Sequence, residues 1–115
     1  MIHPEAKRQL VERNPEDRLS LLLQWERVPE VAGIEPTTPK RERIQRFGAA
    51  CRALKQPLET ALANEADVQI QDIEGSSQAI VTTSVRRWRE LVREDGILGN
   101  TDEATVLPDV RFSAL

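Results

Sequence analysis

The chain has 115 residues, with 16 Lys or Arg against 19 Asp or Glu and a net charge of −3. That length suits one domain with its own core, and 39% hydrophobic with 30% charged residues is the composition of a soluble globular protein. The acidic balance argues against a dedicated nucleic-acid binder. No run approaches the ~20 apolar residues of a membrane span, and one Cys with one His argues against a disulfide or a zinc site.

Residues 1–16 read as an N-terminal appendage. Pro4 suits the first turn of a short helix to Arg13, which Asn14-Pro15 stops because the residue before proline avoids the helical region. Leu10 and Val11 give that helix a thin apolar stripe. Met1 to Arg8 has no signal-peptide pattern, so the expected compartment is the cytoplasm.

Arg18 to Glu26 is the clearest strand. Leu19, Leu21, Leu23 and Trp25 share one face, with Leu22 the apolar exception on the other. Arg27 to Thr37, punctuated by Pro29, Gly33 and Pro36, is a loop. Thr38-Pro39 then reads as an N-cap and first helical residue. Ile44, Phe47, Cys51, Leu54, Leu58 and Ala61 form one continuous apolar stripe. Pro57 predicts a kink or break near Lys55-Gln56, and Asn64 lies just past the helix end.

Asp67 to Glu74 alternates imperfectly. Val68 and Ile70 share a face and Ile73 takes the other, which predicts a bulge or the strand's end. Gly75-Ser76-Ser77 turns the chain, and Gln78 to Thr83 is the β-branched return strand. Thr83 or Ser84 caps a second helix with the stripe Val85, Trp88, Leu91 and Val92, ended by Gly96. Thr105-Val106-Leu107 and the alternating Val110, Phe112 and Ala114 are extended.

The order strand, helix, strand, strand, helix, strand predicts an α+β fold. It is the split βαβ or ferredoxin-like plait, a four-stranded antiparallel sheet with two helices on one face. Residues 17–115 would form this single domain, with an extended C-terminal tail. The opposite sheet face has no helix of its own.

Few residues suggest catalysis. There is no Gly-x-Ser-x-Gly elbow, and the sole histidine, His3, lies in the appendage. Cys51 lies within the apolar stripe and reads as a buried small hydrophobe. Asp72 with Glu74, or Glu94 with Asp95, could pair as acid and base, but 19 acidic residues produce such pairs by chance. The scattered glycines match no phosphate loop. Lys40-Arg41-Glu42-Arg43, with Arg46 and Arg52 beyond, is the strongest charge feature. It fits a solvated helix face or a site for phosphate or an acidic partner. The strands Asp67–Glu74 and Gln78–Thr83 lack the aromatics with which an RNA-binding plait stacks bases. No cofactor, metal, nucleic acid or membrane is therefore expected.

The hairpin from Val68 to Thr83, the stretch Val81-Thr82-Thr83-Ser84-Val85-Arg86-Arg87-Trp88-Arg89-Glu90-Leu91 and the ending Val110-Arg111-Phe112 resemble the subtilisin propeptides and related standalone protease inhibitors. The resemblance implies that the partner is a subtilisin-like serine protease and the chain its inhibitor or intramolecular chaperone. Phe112, Ser113, Ala114 and Leu115 would then occupy the protease cleft as a product mimic, with Leu115 in the primary specificity pocket. Asp72 and Glu74 would cap helix N-termini on the protease surface. The alternative is a non-catalytic interaction module, including a homodimer that pairs open sheet faces and buries Leu22.

Overall fold

The structure, a computed structural model, describes residues 1–27, 29, 31 and 35–108. In chain order these form α1 (Pro4–Glu12), β1 (Arg18–Trp25), α2 (Lys40–Ala63), β2 (Gln69–Ile73), β3 (Gln78–Ser84), α3 (Val85–Val92) and β4 (Ala104–Pro108). The four strands make one antiparallel sheet in the order β2-β3-β1-β4.

β1 sits inside the sheet because its alternation gives it a wholly apolar face. Leu21 lies opposite Val81 of β3 and Leu23 opposite Ala79. On the other side Leu23 meets Val106 and Trp25 meets Ala104 of β4. Leu19, Leu21, Leu23, Trp25, Ala79, Val81 and Val106 form one buried cluster with residues of all three helices. The helices therefore share one face of the sheet.

The segment before β1 is docked. Ala6 and Leu10 of α1 are buried in this same cluster, while Val11 is exposed. His3 caps α1, its Nδ1 accepting from the Glu5 amide at 3.1 Å. The last carbonyls of α1 would otherwise lack donors. Arg89 of α3 supplies them, its guanidinium donating to the carbonyls of Leu10 at 2.9 Å and Arg13 at 3.0 Å. Residues 1–3 also bond along β4, the His3 amide to the Val106 carbonyl and the Val106 amide to the Met1 carbonyl, each at 2.8 Å. That covers an edge which would otherwise offer unpaired groups to another chain.

The first turn of α2 begins one residue later than Thr38-Pro39 predicts. Pro39 takes the capping position, and the Thr38 hydroxyl instead accepts from the Glu35 amide at 2.9 Å. Pro57 does not break α2. Proline removes one amide donor, but Ala53, four residues back, is exposed, so water can reach its carbonyl. The buried Cys51, Lys55, Leu58 and Leu62 hold the helix on both sides of the proline.

Asp67 has φ 63°, a left-handed conformation that Asp tolerates, where the chain enters β2. The buried Thr83 hydroxyl donates to its carbonyl at 2.8 Å. β2 ends at Ile73 without a bulge, and Gly75 (φ 72°) makes the turn. Ser84 caps α3 through the Arg87 amide at 3.1 Å. After α3 the chain folds back on the helix end, where the amides of Leu98 and Gly99 both donate to the Leu91 carbonyl. Among the described residues no helix is long and apolar enough to cross a membrane.

Candidate functional site

Of the predicted site residues, the structure describes Asp72 and Glu74. Phe112, Ser113, Ala114 and Leu115, the expected protease-cleft tail, lie outside the described residues, as does Val110. Asp72 lies on the helix-covered face of β2, opposite Ala79 of β3. Glu74 is beyond the strand in the exposed turn, 3.9 Å from Arg52.

Asp72 belongs to a half-buried charged cluster that sequence spacing did not indicate. Lys55 is wholly buried in α2. Its Nζ lies 2.5 Å from Asp72 Oδ1, 3.1 Å from the Ile73 carbonyl and 3.0 Å from the Gln78 carbonyl. The ammonium thus donates to two backbone carbonyls and forms an ion pair with one carboxylate. The lysine therefore ties α2 to both strands of the β2–β3 hairpin.

Glu59, one turn further along α2, completes the cluster. Burial and then the neighbouring Asp72 push its carboxyl up to about 7. Burial also opposes charge on Asp72, but hydrogen bonds from Lys55 and Glu59 and the charge of Lys55 outweigh it, holding that carboxyl below its usual range. Two carboxyls beside one lysine thus separate, one pushed toward the ionised form and one toward the protonated form. This chemistry faces inward and fastens the fold.

The sheet face opposite the helices carries Ser20, Leu22 and Gln24 of β1 beside Thr82, Ile80 and Gln78 of β3. Its polar groups bond one another. The Ser20 and Thr82 hydroxyls are 2.6 Å apart, and the Gln78 side-chain amide donates to Gln24 Oε1 at 2.5 Å. Leu22 and Ile80 between them are only 8% and 3% exposed. They offer little area for a second sheet to bury, so Leu22 is a weak anchor for face-to-face pairing.

Among the described residues, two exposed large apolar side chains lie together on α2. The stripe read from the sequence continues through Cys51 and Leu58 into the core, but Ile44 is 62% exposed and Phe47 42% exposed. The physical reason is length. A helix of 24 residues spans ~36 Å, whereas the adjacent β2, with five residues, spans ~17 Å. No residue of α2 before Cys51 is buried.

Cations border the exposed pair. Lys40, Arg41 and Arg43 are exposed in the first turn. Arg43 is fixed there, donating from Nε to the Thr38 carbonyl at 2.9 Å and from Nη2 to the Pro36 carbonyl at 2.6 Å. Glu42 pairs with Arg46 at 2.5 Å. Along the same side of α2, seven and ten residues beyond Phe47, Leu54 and Pro57 line a cavity of about 200 Å³ with Trp25. The Trp25 indole Nε1 is buried without an acceptor among the described residues.

Cys51 is free and buried, as the stripe predicts. Glu94 and Asp95 are exposed, and Asp95 lies 3.5 Å from Arg93. Among the described residues no group of three His, Cys, Asp or Glu side chains is placed to hold a metal ion. Comparison of the chain with protein-family models, with curated proteins and with solved structures found no match in any of the three.

Proposed function

We propose that this chain is a ferredoxin-like plait that serves as a non-catalytic protein-interaction module, with the first half of α2 as its contact surface. The strand order β2-β3-β1-β4, with a helix following β1 and another following β3, is consistent with the split βαβ arrangement. The observation that carries the functional reading is the exposure of Ile44 and Phe47 on one side of α2. Together they leave roughly 200 Å² of apolar surface in water. Burying all of it would contribute about 5 kcal/mol before the costs of association.

Surface apolar residues occur singly on most proteins. Here two lie one turn apart on a helix that already has a packed core, so their burial adds nothing to the fold itself. The bordering cations would orient a partner and speed its approach.

The reading is tested by placing a photo-crosslinking residue at position 44, and separately at the exposed Ala63, in the chain's native cells. A defined adduct at 44 that is absent at 63 supports it. No adduct at 44 refutes it. A parallel assay measures inhibition of a subtilisin-type protease by the intact chain and by a form ending at Arg111. Inhibition by the intact chain alone would move the function to the tail.

A further inference from the structure

We infer that the strip along the first half of α2 docks an acidic amphipathic segment of another protein, one that presents apolar side chains flanked by carboxylates. This inference rests on the interaction reading and specifies the partner's chemistry.

Charge segregation carries it. Residues 40–47 hold Lys40, Arg41, Arg43 and Arg46 against Glu42 alone, in a chain whose net charge is −3. A local basic excess in an otherwise acidic chain thus lies beside Ile44 and Phe47. Lys40 lies one turn before Ile44 and Arg43 one turn before Phe47, so two cations stand on the same side of the helix as the apolar pair. Arg43 is held in place by two backbone carbonyls, which lowers the entropy lost on binding. A helix N-terminus also favours negative charge.

A second copy of this chain is the wrong occupant for this strip. Pairing two α2 strips would bring like charges together, and like charges destabilise such contacts. Nucleic acid would use the cations but not Ile44 and Phe47. A membrane surface is less suited than a protein segment, because the apolar pair lies on the side of α2 that further along faces the sheet. An elongated segment can continue from Phe47 toward the cavity at Leu54, Pro57 and Trp25.

The test uses the full chain and fluorescence anisotropy with defined probes. One labelled helical peptide carries Leu at core positions and Glu elsewhere. A second replaces every Glu by Lys, and a third replaces every Leu by Ser. Phosphatidylserine-containing vesicles and a single-stranded oligonucleotide complete the set. The acidic Leu peptide is expected to bind roughly tenfold or more tighter than either variant peptide, and binding should weaken as salt rises. Phe47→Ser and Lys40→Glu should each weaken it, with the circular dichroism spectrum unchanged. Both positions are exposed, so neither change should unfold the chain.

Equal binding of the acidic and basic peptides would overturn the inference. So would no binding of the acidic peptide at roughly millimolar concentration, or stronger binding to vesicles or oligonucleotide. If a crosslinked partner is still found at position 44 in those cases, the interaction reading stands and only the partner's chemistry is refuted. If neither appears, both fall.

Discussion

Replacing Lys55 by Met should lower stability sharply at neutral pH and much less in acid. Met fills nearly the same volume, so the change removes charge and donors without opening a cavity. Asp72 loses the ammonium 2.5 Å away, and the carbonyls of Ile73 and Gln78 lose their side-chain donor. Breaking a buried pair by removing one partner costs about 3–5 kcal/mol. The Asp72 side chain keeps 29% of its exposure, so the lower end, about 3 kcal/mol, is expected. A chain of this length has a total stability of roughly 6–17 kcal/mol, so the loss is a large fraction of it.

The sign of the pH dependence follows from Asp72. Lys55 holds its carboxyl below the usual range, so the pair stabilises the fold above the unfolded pKa and is lost as pH falls through the folded one. The gap between wild type and Lys55→Met should therefore be widest near pH 7 and narrow in acid. Urea denaturation followed by tryptophan fluorescence at both pH values measures it. A loss under about 1 kcal/mol at pH 7 would refute the clamp, as would a gap that does not shrink in acid. Asp72→Asn in the same cycle should show strong coupling to Lys55.

Glu59 gives the opposite pH slope. With its carboxyl pushed up to about 7, the folded state keeps a proton that the unfolded chain releases, and stability falls as pH rises from the ordinary value of 4.5 to about 7. After discounting for solvent screening, Glu59→Gln should gain about 1 kcal/mol at pH 8 and nothing at pH 4, read by the same denaturation. Gly99 is closed to any side chain, since a Cβ there would lie 1.8 Å from the Arg93 carbonyl oxygen. Gly99→Ala should cost about 2 kcal/mol or more, whereas Gly48→Ala, in a helix with nothing within 4 Å, should stabilise by about 0.5–1 kcal/mol. Melting temperatures of the two variants should move in opposite directions. Leu10→Ala should cost about 3 kcal/mol in one cooperative transition, because α1 shares the main core. A separate early transition would show α1 to be an independent element.

Local physics made most of the elements legible in the sequence. Period-two leucines wrote β1, the Ser84 hydroxyl and the stripe from Val85 to Leu91 wrote α3, and Gly75 marked the hairpin turn. These signals act between residues that are close in sequence, so no tertiary contact is needed to read them. The same holds for Cys51, whose place in the stripe predicted its burial.

What the sequence could not determine was where each stripe ends against its neighbour. Ile44 and Phe47 belong to the same helical stripe as Cys51 and Leu58, yet only the latter pair reaches the core. Spacing fixes a residue's angle around a helix, and the length of the opposing sheet decides whether anything lies beneath it. Asp72 and Glu74 likewise looked equivalent on a two-residue period. The strand ends at Ile73, so Asp72 turns inward to Lys55 and Glu74 remains in the turn. Lys55, a charged residue flanking the apolar stripe of α2, became the buried clamp because two strand carbonyls and a carboxylate converge on it. That convergence joins residues 17 to 23 positions apart, and only the folded chain brings them within bonding distance.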